Sequence, residues 1–277
     1  MTIQRMMITS SPDVACYIEQ HGIARIFMDQ EVMGKAERQG HLDTHKAQHT
    51  LEEIAAVARV LKQAELMVRV NPLHEESAQE IEAALDHGAQ RLMLPMFTSR
   101  EEVDCFLDHV QQRVPVTFLA ETPQALVRLS DWLPLLNAKQ DEVHFGLNDM
   151  ALGMGLDFLF EAMAGRLFDI GALLLNEMGI RWGVGGVARI GQGELPAEIV
   201  LGEHVRLGSQ WVILSRAFHQ GAITTEALLE NLDFPNEIAA LQTSEAEWRT
   251  RSDEALLQNQ KRLAASAFRL GRTRRVE

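Results

Sequence analysis

The chemistry available to this 277-residue chain is concentrated in eight side chains, each closing a short apolar run. They are the carboxylates of Asp29, Glu31, Glu121 and Asp149, the guanidinium groups of Arg69 and Arg216, and the amides of Asn71 and Asn148. Two carboxylates suffice to hold a hard divalent cation, Mg2+ or Mn2+, when water and substrate oxygens complete the shell. A small 2-oxo acid on such an ion has its carbonyl polarised, and an arginine can fix its carboxylate and stabilise enolate charge. Glu121 and Asp149 are the expected ligands, from adjacent strands. Glu121 continues the alternation of Thr117 and Leu119, facing away from Val116, Phe118 and Ala120. A carboxylate before Thr122-Pro123 also suits a helix start, where negative charge is favoured in any case. Arg69, Asn71 and Asn148 are the expected substrate contacts.

Proton transfer needs a further group. Glu31 and the histidines His41, His45 and His49 are available in or beside the long connection Gln30 to Thr50, and imidazole changes charge near neutral pH. Glu31, His41 and His45 are taken as the candidates. The i, i+4, i+8 spacing of the histidines would align them on one helical face, but spacing without a third type of ligand is poor support for zinc. Gly183-Val184-Gly185-Gly186-Val187-Ala188 formally matches the dinucleotide pattern GxGxxG/A, yet it follows six other strands and lacks the acidic residue about twenty positions on. In a barrel, the loops after strands seven and eight often cradle phosphate. Gly185, Gly186 and Ser215, with Arg189 and Arg216, can serve that purpose, and a tight-turn role for the glycines stands equally open.

These residues must be positioned by a recurring unit. Eight short apolar runs, Met6 to Ile8, Ala24 to Asp29, Leu66 to Asn71, Arg91 to Met96, Val116 to Glu121, Val143 to Asp149, Arg181 to Gly186 and Trp211 to Ser215, alternate with amphipathic helical stretches. Such alternation requires parallel pairing with crossover helices. The expected fold is therefore α/β, a (β/α)8 TIM barrel over residues 1–220, whose working residues lie at the strands' C-terminal ends. The remainder, 221–277, is expected to be a helical extension packing on the barrel or on a neighbouring subunit. Ser244 with Glu247 reads as a capping box opening a helix to Leu270. The connection Gln30 to Thr50 is long enough to act as a lid or binding loop, and its charged, histidine-rich makeup suits a polyhydroxylated acceptor such as a sugar aldehyde. Thr122 to Leu135 and Leu156 to Met178 are among the amphipathic stretches that lie between the runs.

A formal charge of −13 argues against nucleic acid as a partner. No apolar run is long enough for a membrane span, and the first twenty residues lack the pattern of a secretory signal, so a cytoplasmic location is expected. Cys16 and Cys105, the only two cysteines, read as reduced thiols. The basic tail, Arg269 to Arg275, reads as a solvated end.

Several stretches resemble the HpcH/HpaI aldolase and citrate lyase family of the pyruvate- and phosphoenolpyruvate-binding barrels. They are Ile26-Phe27-Met28-Asp29-Gln30-Glu31, Val68-Arg69-Val70-Asn71-Pro72, Leu92-Met93-Leu94-Pro95-Met96, Glu121-Thr122-Pro123-Gln124-Ala125-Leu126 and Phe145-Gly146-Leu147-Asn148-Asp149-Met150-Ala151-Leu152-Gly153-Met154-Gly155. The resemblance implies Mg2+ or Mn2+ on Glu121 and Asp149, Arg69 on the substrate's oxygens, and cleavage or formation of a C–C bond through an enolate. It implies a small-molecule 2-oxo acid with an aldehyde or acyl co-substrate, and a homo-oligomer joined through C-terminal helices. One position departs from the pattern. Where the aldolase branch would carry a histidine after Asp29-Gln30-Glu31, and the acyl-lyase branch an aspartate, this chain has Val32. That departure motivates the alternative of a barrel that binds a carboxylated ligand without turnover. The glycine loop motivates a second alternative, a phosphoenolpyruvate-type transferase.

Overall fold

The computed structural model describes residues 2–34, 49–218 and 221–276. Eight parallel strands close on themselves in sequence order: β1 (Gln4–Ile8), β2 (Arg25–Asp29), β3 (Glu65–Arg69), β4 (Arg91–Leu94), β5 (Val116–Ala120), β6 (Glu142–Phe145), β7 (Arg181–Val187) and β8 (Trp211–Leu214). The expected TIM barrel is the observed one. Helices α1 (Pro12–Gln20), α2 (Leu51–Val60), α3 (Ser77–Asp86) and α4 (Arg100–Val110) follow the first four strands. Local chemistry sets their starts. The Ser11 side chain accepts the Val14 N–H ahead of Pro12-initiated α1, and Thr50 with Glu53 and Ser99 with Glu102 form complete capping boxes.

The second half is more broken than the apolar periodicity suggests. Thr122 to Leu135 divides into α5 (Pro123–Val127), α6 (Leu129–Trp132) and a 3-10 turn, Leu133–Leu135. After β6 come α7 (Leu147–Met154), α8 (Glu161–Ala164) and α9 (Asp169–Met178), so Leu156 to Met178 is not one helix. Asn148 and Asp149, read from the sequence as the end of the sixth strand, lie in the first turn of α7. Helix α10 (Ala197–Leu207) precedes β8, and α11 (Thr225–Asn231), α12 (Phe234–Arg249) and α13 (Asp253–Val276) complete the chain. The expected helix start at Ser244 is wrong. Asp233, accepting the Asn236 N–H, and Pro235 begin α12, which runs through Ser244 and ends at Arg249. Helix α13 packs on α10 and α8 of the same chain, burying Leu263 and Ala267. The tail is not simply solvated, because Arg274 pairs with Glu194 and Arg275 with Asp157 at 2.7 Å.

The barrel interior is layered, and this layering positions the site. At the N-terminal end, Arg25 and Arg91 meet Glu65 and Glu142, with Arg25 to Glu142 at 2.8 Å and Arg25 to Glu65 at 2.6 Å. A middle layer of Met6, Phe27, Met67, Met93, Leu119 and Trp211 is apolar. Above it the strands' C-terminal ends carry Asp29, Arg69 and the turn to Glu121. Alternate residues such as Val116, Phe118 and Ala120 face the helices and join the outer core.

Candidate active site

The pairing of β2 with β3 sets Asp29 directly opposite Arg69. Their side chains form a bidentate pair, Nε to Oδ1 and Nη2 to Oδ2, both at 2.8 Å. Nη2 also lies 3.2 Å from Oε2 of Glu31. Burial works against the charge on Arg69, but Asp29, Glu31 and Glu121 more than offset it and push its pKa above the ordinary arginine value. The Nη1 edge makes no hydrogen bond with a described residue, and Arg69 lines the cavity at the barrel mouth.

Glu121 leaves β5 just before α5. Thr122, not Glu121, caps that helix, accepting the Ala125 N–H at 3.0 Å and donating to the Phe97 carbonyl at 2.7 Å. The Glu121 side chain is buried and lines the cavity at the mouth. It accepts the N–H of Met96 at 3.3 Å, a residue held at a φ of 56°. Such a left-handed non-glycine conformation is costly and collects at functional sites. Burial first, then the charges of Asp149 and Glu31, push the Glu121 carboxyl up to about 8 against the pull of Arg69. A buried carboxyl held protonated by its neighbours' negative charge is suited to a cation, which would reverse the penalty.

Asp149 occupies the first turn of α7, whose N-cap, Gly146, provides no side-chain cap. Gly146, Leu147, Asn148 and Asp149, the N-cap and first turn of this helix, line the cavity. Gly146 is required by space. A Cβ there would stand 2.7 Å from Cβ and 2.8 Å from Oε2 of Glu121. No three histidine, cysteine, aspartate or glutamate side chains cluster as a metal-holding group among the described residues. A divalent ion on Glu121 and Asp149 would thus take its other ligands from water and substrate, as Mg2+ commonly does.

The cavity, of about 890 Å3, also reaches Gly185, Gly186, Ser215 and Arg216. Gly185 needs its freedom, with a φ of 51° and Leu147 Cδ1 only 2.4 Å from a built Cβ. Arg189, grouped with these glycines from sequence, instead gives Nε and Nη2 to Gln192 Oε1 at 3.0 and 2.7 Å and does not line the cavity. Asn71 is also taken out of the substrate set. Its Oδ1 accepts the N–H groups of Val32 and Met33 at 2.9 and 3.0 Å, and its Nδ2 donates to Glu80 at 2.7 Å. Its amide organises the turn after β2. Glu31 stands behind Arg69 and is not a cavity-lining residue. His41 and His45 lie outside the described residues.

Two histidines not chosen from the sequence reach the cavity. His49 exchanges backbone contacts with β2: its N–H donates to the Asp29 carbonyl, and its Nδ1 accepts the Asp29 N–H, each at 2.9 Å. An accepting Nδ1 places the proton on Nε2. His144 alternates with Glu142 on β6, which is the signal that could have found it. Its Nε2 donates to the Gly185 carbonyl at 3.1 Å, Nδ1 has no hydrogen-bond partner, and burial pulls it down to about 4.

Residues 39–157 match the HpcH/HpaI aldolase/citrate lyase family. The HpcH/HpaI match takes in Arg69, Glu121 and Asp149, and begins after Asp29 and Glu31. This family is typically one of aldolases and lyases acting on small molecules, and its members generally use a divalent metal. Comparison with curated proteins gave no match. No helix among the described residues is long and apolar enough to cross a membrane.

Proposed function

We propose that the protein is a divalent-metal-dependent carbon–carbon lyase or aldolase acting on a pyruvate- or oxaloacetate-like 2-oxo acid, with Mg2+ or Mn2+ on Glu121 and Asp149. The observation that carries this reading is the buried Glu121 carboxyl, which lines the cavity at the barrel mouth together with Asp149 and Arg69, with burial and the charges of Asp149 and Glu31 pushing it up. A bound divalent ion would supply Lewis-acid polarisation of the substrate carbonyl. The chain's own groups do the rest. The Nη1 edge of Arg69, held in place by Asp29 and Glu31, presents donors to the substrate's oxygens. The N-terminal turn of α7 offers backbone N–H groups and the positive end of its dipole to the carboxylate. The Asp29 N–H donates to His49 Nδ1 and so holds this imidazole at the edge of the cavity. The hydrophobic floor of Phe27, Met67 and Leu119 keeps bulk water from the carbon that carries developing charge.

Hydrogen exchange at C3 of pyruvate tests the reading, because exchange without a second substrate demands both ion and base. Deuterium should enter the methyl group only with Mg2+ or Mn2+ present, and Glu121→Ala and Asp149→Ala should lose both exchange and Mn2+ binding. Unchanged Mn2+ affinity in both variants, read by electron paramagnetic resonance, would overturn the ligand assignment.

A further inference from the structure

Resting on the reading above, we infer that His144 is a positioning residue for the site: it holds the Gly185 carbonyl from the floor of the cavity, and through Gly185 the first turn of α7 that carries Asp149. The strand register places it. His144 stands opposite Leu119 of β5 and Gly183 of β7, at the level of the apolar middle layer to which Leu119 and Trp211 belong. Gly183 makes room for the ring, since a Cβ there would stand 2.6 Å from His144 Nδ1. Nε2 reaches the carbonyl of Gly185, two residues on, at 3.1 Å. A carbonyl can only accept, so the proton sits on Nε2. Burial, the largest influence, pulls the imidazole down to about 4 and keeps it neutral, while Arg25 lowers it and Glu142 raises it from the layer below.

Stability of the barrel does not account for this polar group. Its Nδ1 is buried without a hydrogen-bond partner among the described residues, and an orphaned buried acceptor costs more than one neutral hydrogen bond contributes. What the ring holds is the irregular part of β7. Gly183 pairs with Trp211 and Gly186 with Ile213, so β7 advances three residues where β8 advances two. This is a bulge of the kind that collects beside active sites. Gly185 stands within it at a φ of 51°, so close to Leu147 that a Cβ would overlap that side chain. Leu147 is the first residue of α7, two before Asp149. His144, Leu147, Asp149, Gly185 and Gly186 all line the cavity. Removing the donor releases the Gly185 carbonyl and loosens its packing on Leu147, and the displacement reaches Asp149 through one turn of helix.

The test uses the full chain and two readouts besides activity. At pH 7 a long-range 15N–1H correlation spectrum should show His144 as the neutral Nε2–H tautomer, and an Nδ1–H tautomer or an imidazolium would overturn the inference. His144→Leu should melt no lower than the unaltered protein, since it removes an orphaned nitrogen from an apolar layer, yet bind Mn2+ about tenfold more weakly, the lower end of what outer partners of a metal site contribute. Pyruvate exchange should fall by a similar factor. His144→Gln, whose amide N–H can take the place of Nε2, should recover most of both losses, and the shorter His144→Asn should not. Unchanged Mn2+ affinity in His144→Leu, or equal losses in the Leu and Gln variants, would overturn the inference. Should His144→Leu not fold, the Gln and Asn variants decide, and equal Mn2+ affinity in those two would sink it. Absence of pyruvate exchange in the unaltered protein would instead remove the lyase reading, with the tautomer and Mn2+ affinity still deciding the role of His144.

Discussion

Glu121 and Glu142 are the same residue type, equally buried at 3% and 1% exposure, at opposite ends of one barrel, and their carboxyl groups are driven in opposite directions. At the N-terminal end, burial opposes the charge on Glu142, but Arg25, Arg91 and Arg181 overcome it and hold the group below the usual carboxylate range. At the C-terminal end, Arg69 is already shared by Asp29 and Glu31, so burial and like charge raise Glu121 to about 8. The difference is one of stoichiometry, not of depth. The lower layer sets three cations, Arg25, Arg91 and Arg181, against two anions, Glu65 and Glu142. The upper one gathers three carboxylates, Asp29, Glu31 and Glu121, around one guanidinium, with the charge of Asp149 acting on Glu121 as well, an arrangement that repels itself unless a cation arrives. Burial of charge at one end therefore supports the fold, and at the other it creates a site.

The same substitution at the two ends should separate these roles. Glu121→Gln should lower kcat/KM by more than about a hundredfold, beyond the ~10–100-fold typical of an outer-shell partner of a metal, while leaving the melting temperature unchanged or higher. Glu142→Gln should leave Mn2+ affinity intact but weaken the fold by about 3 kcal/mol, because it strips buried Arg25 and Arg91 of their counter-ion. Calorimetric melting beside metal titration reads both. Equal destabilisation by the two variants would break the comparison.

Legibility in the sequence followed the same division. The barrel could be read because its strands are apolar on both faces and its helices are periodic, and Glu121 and Arg69 could be placed at the rim from where their strands end, whereas Asp149 reaches the cavity from the first turn of α7. The partnerships were not readable, since they depend on register and turn geometry. Asp29 meets Arg69 only because β2 and β3 pair residue for residue, and Asn71 is turned to the Val32 and Met33 backbone by the bend after β3. The alternation of His144 with Glu142 on β6 marks it as inward-facing, but its contact with the Gly185 carbonyl depends on the pairing of β6 with β7. Ser244-x-x-Glu247 imitated a helix start because a capping-box pattern in mid-helix has the same letters, and only Asp233 and Pro235 reveal the true beginning.

The pH dependence of stability should sharpen the contrast. A carboxyl raised from its unfolded value of 4.5 to about 8 favours the folded state fully below 4.5, and that contribution disappears as pH rises through about 8. Metal-free protein should accordingly lose stability from pH 5 to 8 by an amount of order a few kcal/mol, and Glu121→Gln should flatten that limb. On the acid side, His144 and His204 are held neutral by burial, at about 4 and about 3. Their contribution is lost as pH falls from 6.5 toward those values, a limb that Glu121→Gln should leave in place. Urea melts at fixed ionic strength across pH 4 to 9 measure both limbs.

A smaller effect should follow from geometry alone. Gly146→Ala keeps every charge but sets a methyl 2.8 Å from the Glu121 Oε2 position, so Glu121 must shift, and a displacement of about an ångström at a reacting centre can cost up to ~100-fold. Metal affinity and kcat should fall together, by about tenfold or more, with no new pH limb. Unaltered affinity would mean that Glu121 has room its close packing against Gly146 denies.

The smallest effect belongs to ion pairs that are neither buried nor crowded. Arg275, 72% exposed, meets Asp157 two residues before the cavity-lining Leu159. Solvent screens such a pair, and ordering a long side chain offsets most of its attraction, so Arg275→Ala should cost under about 1 kcal/mol and less still in high salt. Melting at low and high salt compares it directly with Glu142→Gln. A loss at Arg275 as large as that at Glu142 would mean that burial does not set the worth of charge in this barrel, and the opposed fates of Glu121 and Glu142 would then need another cause.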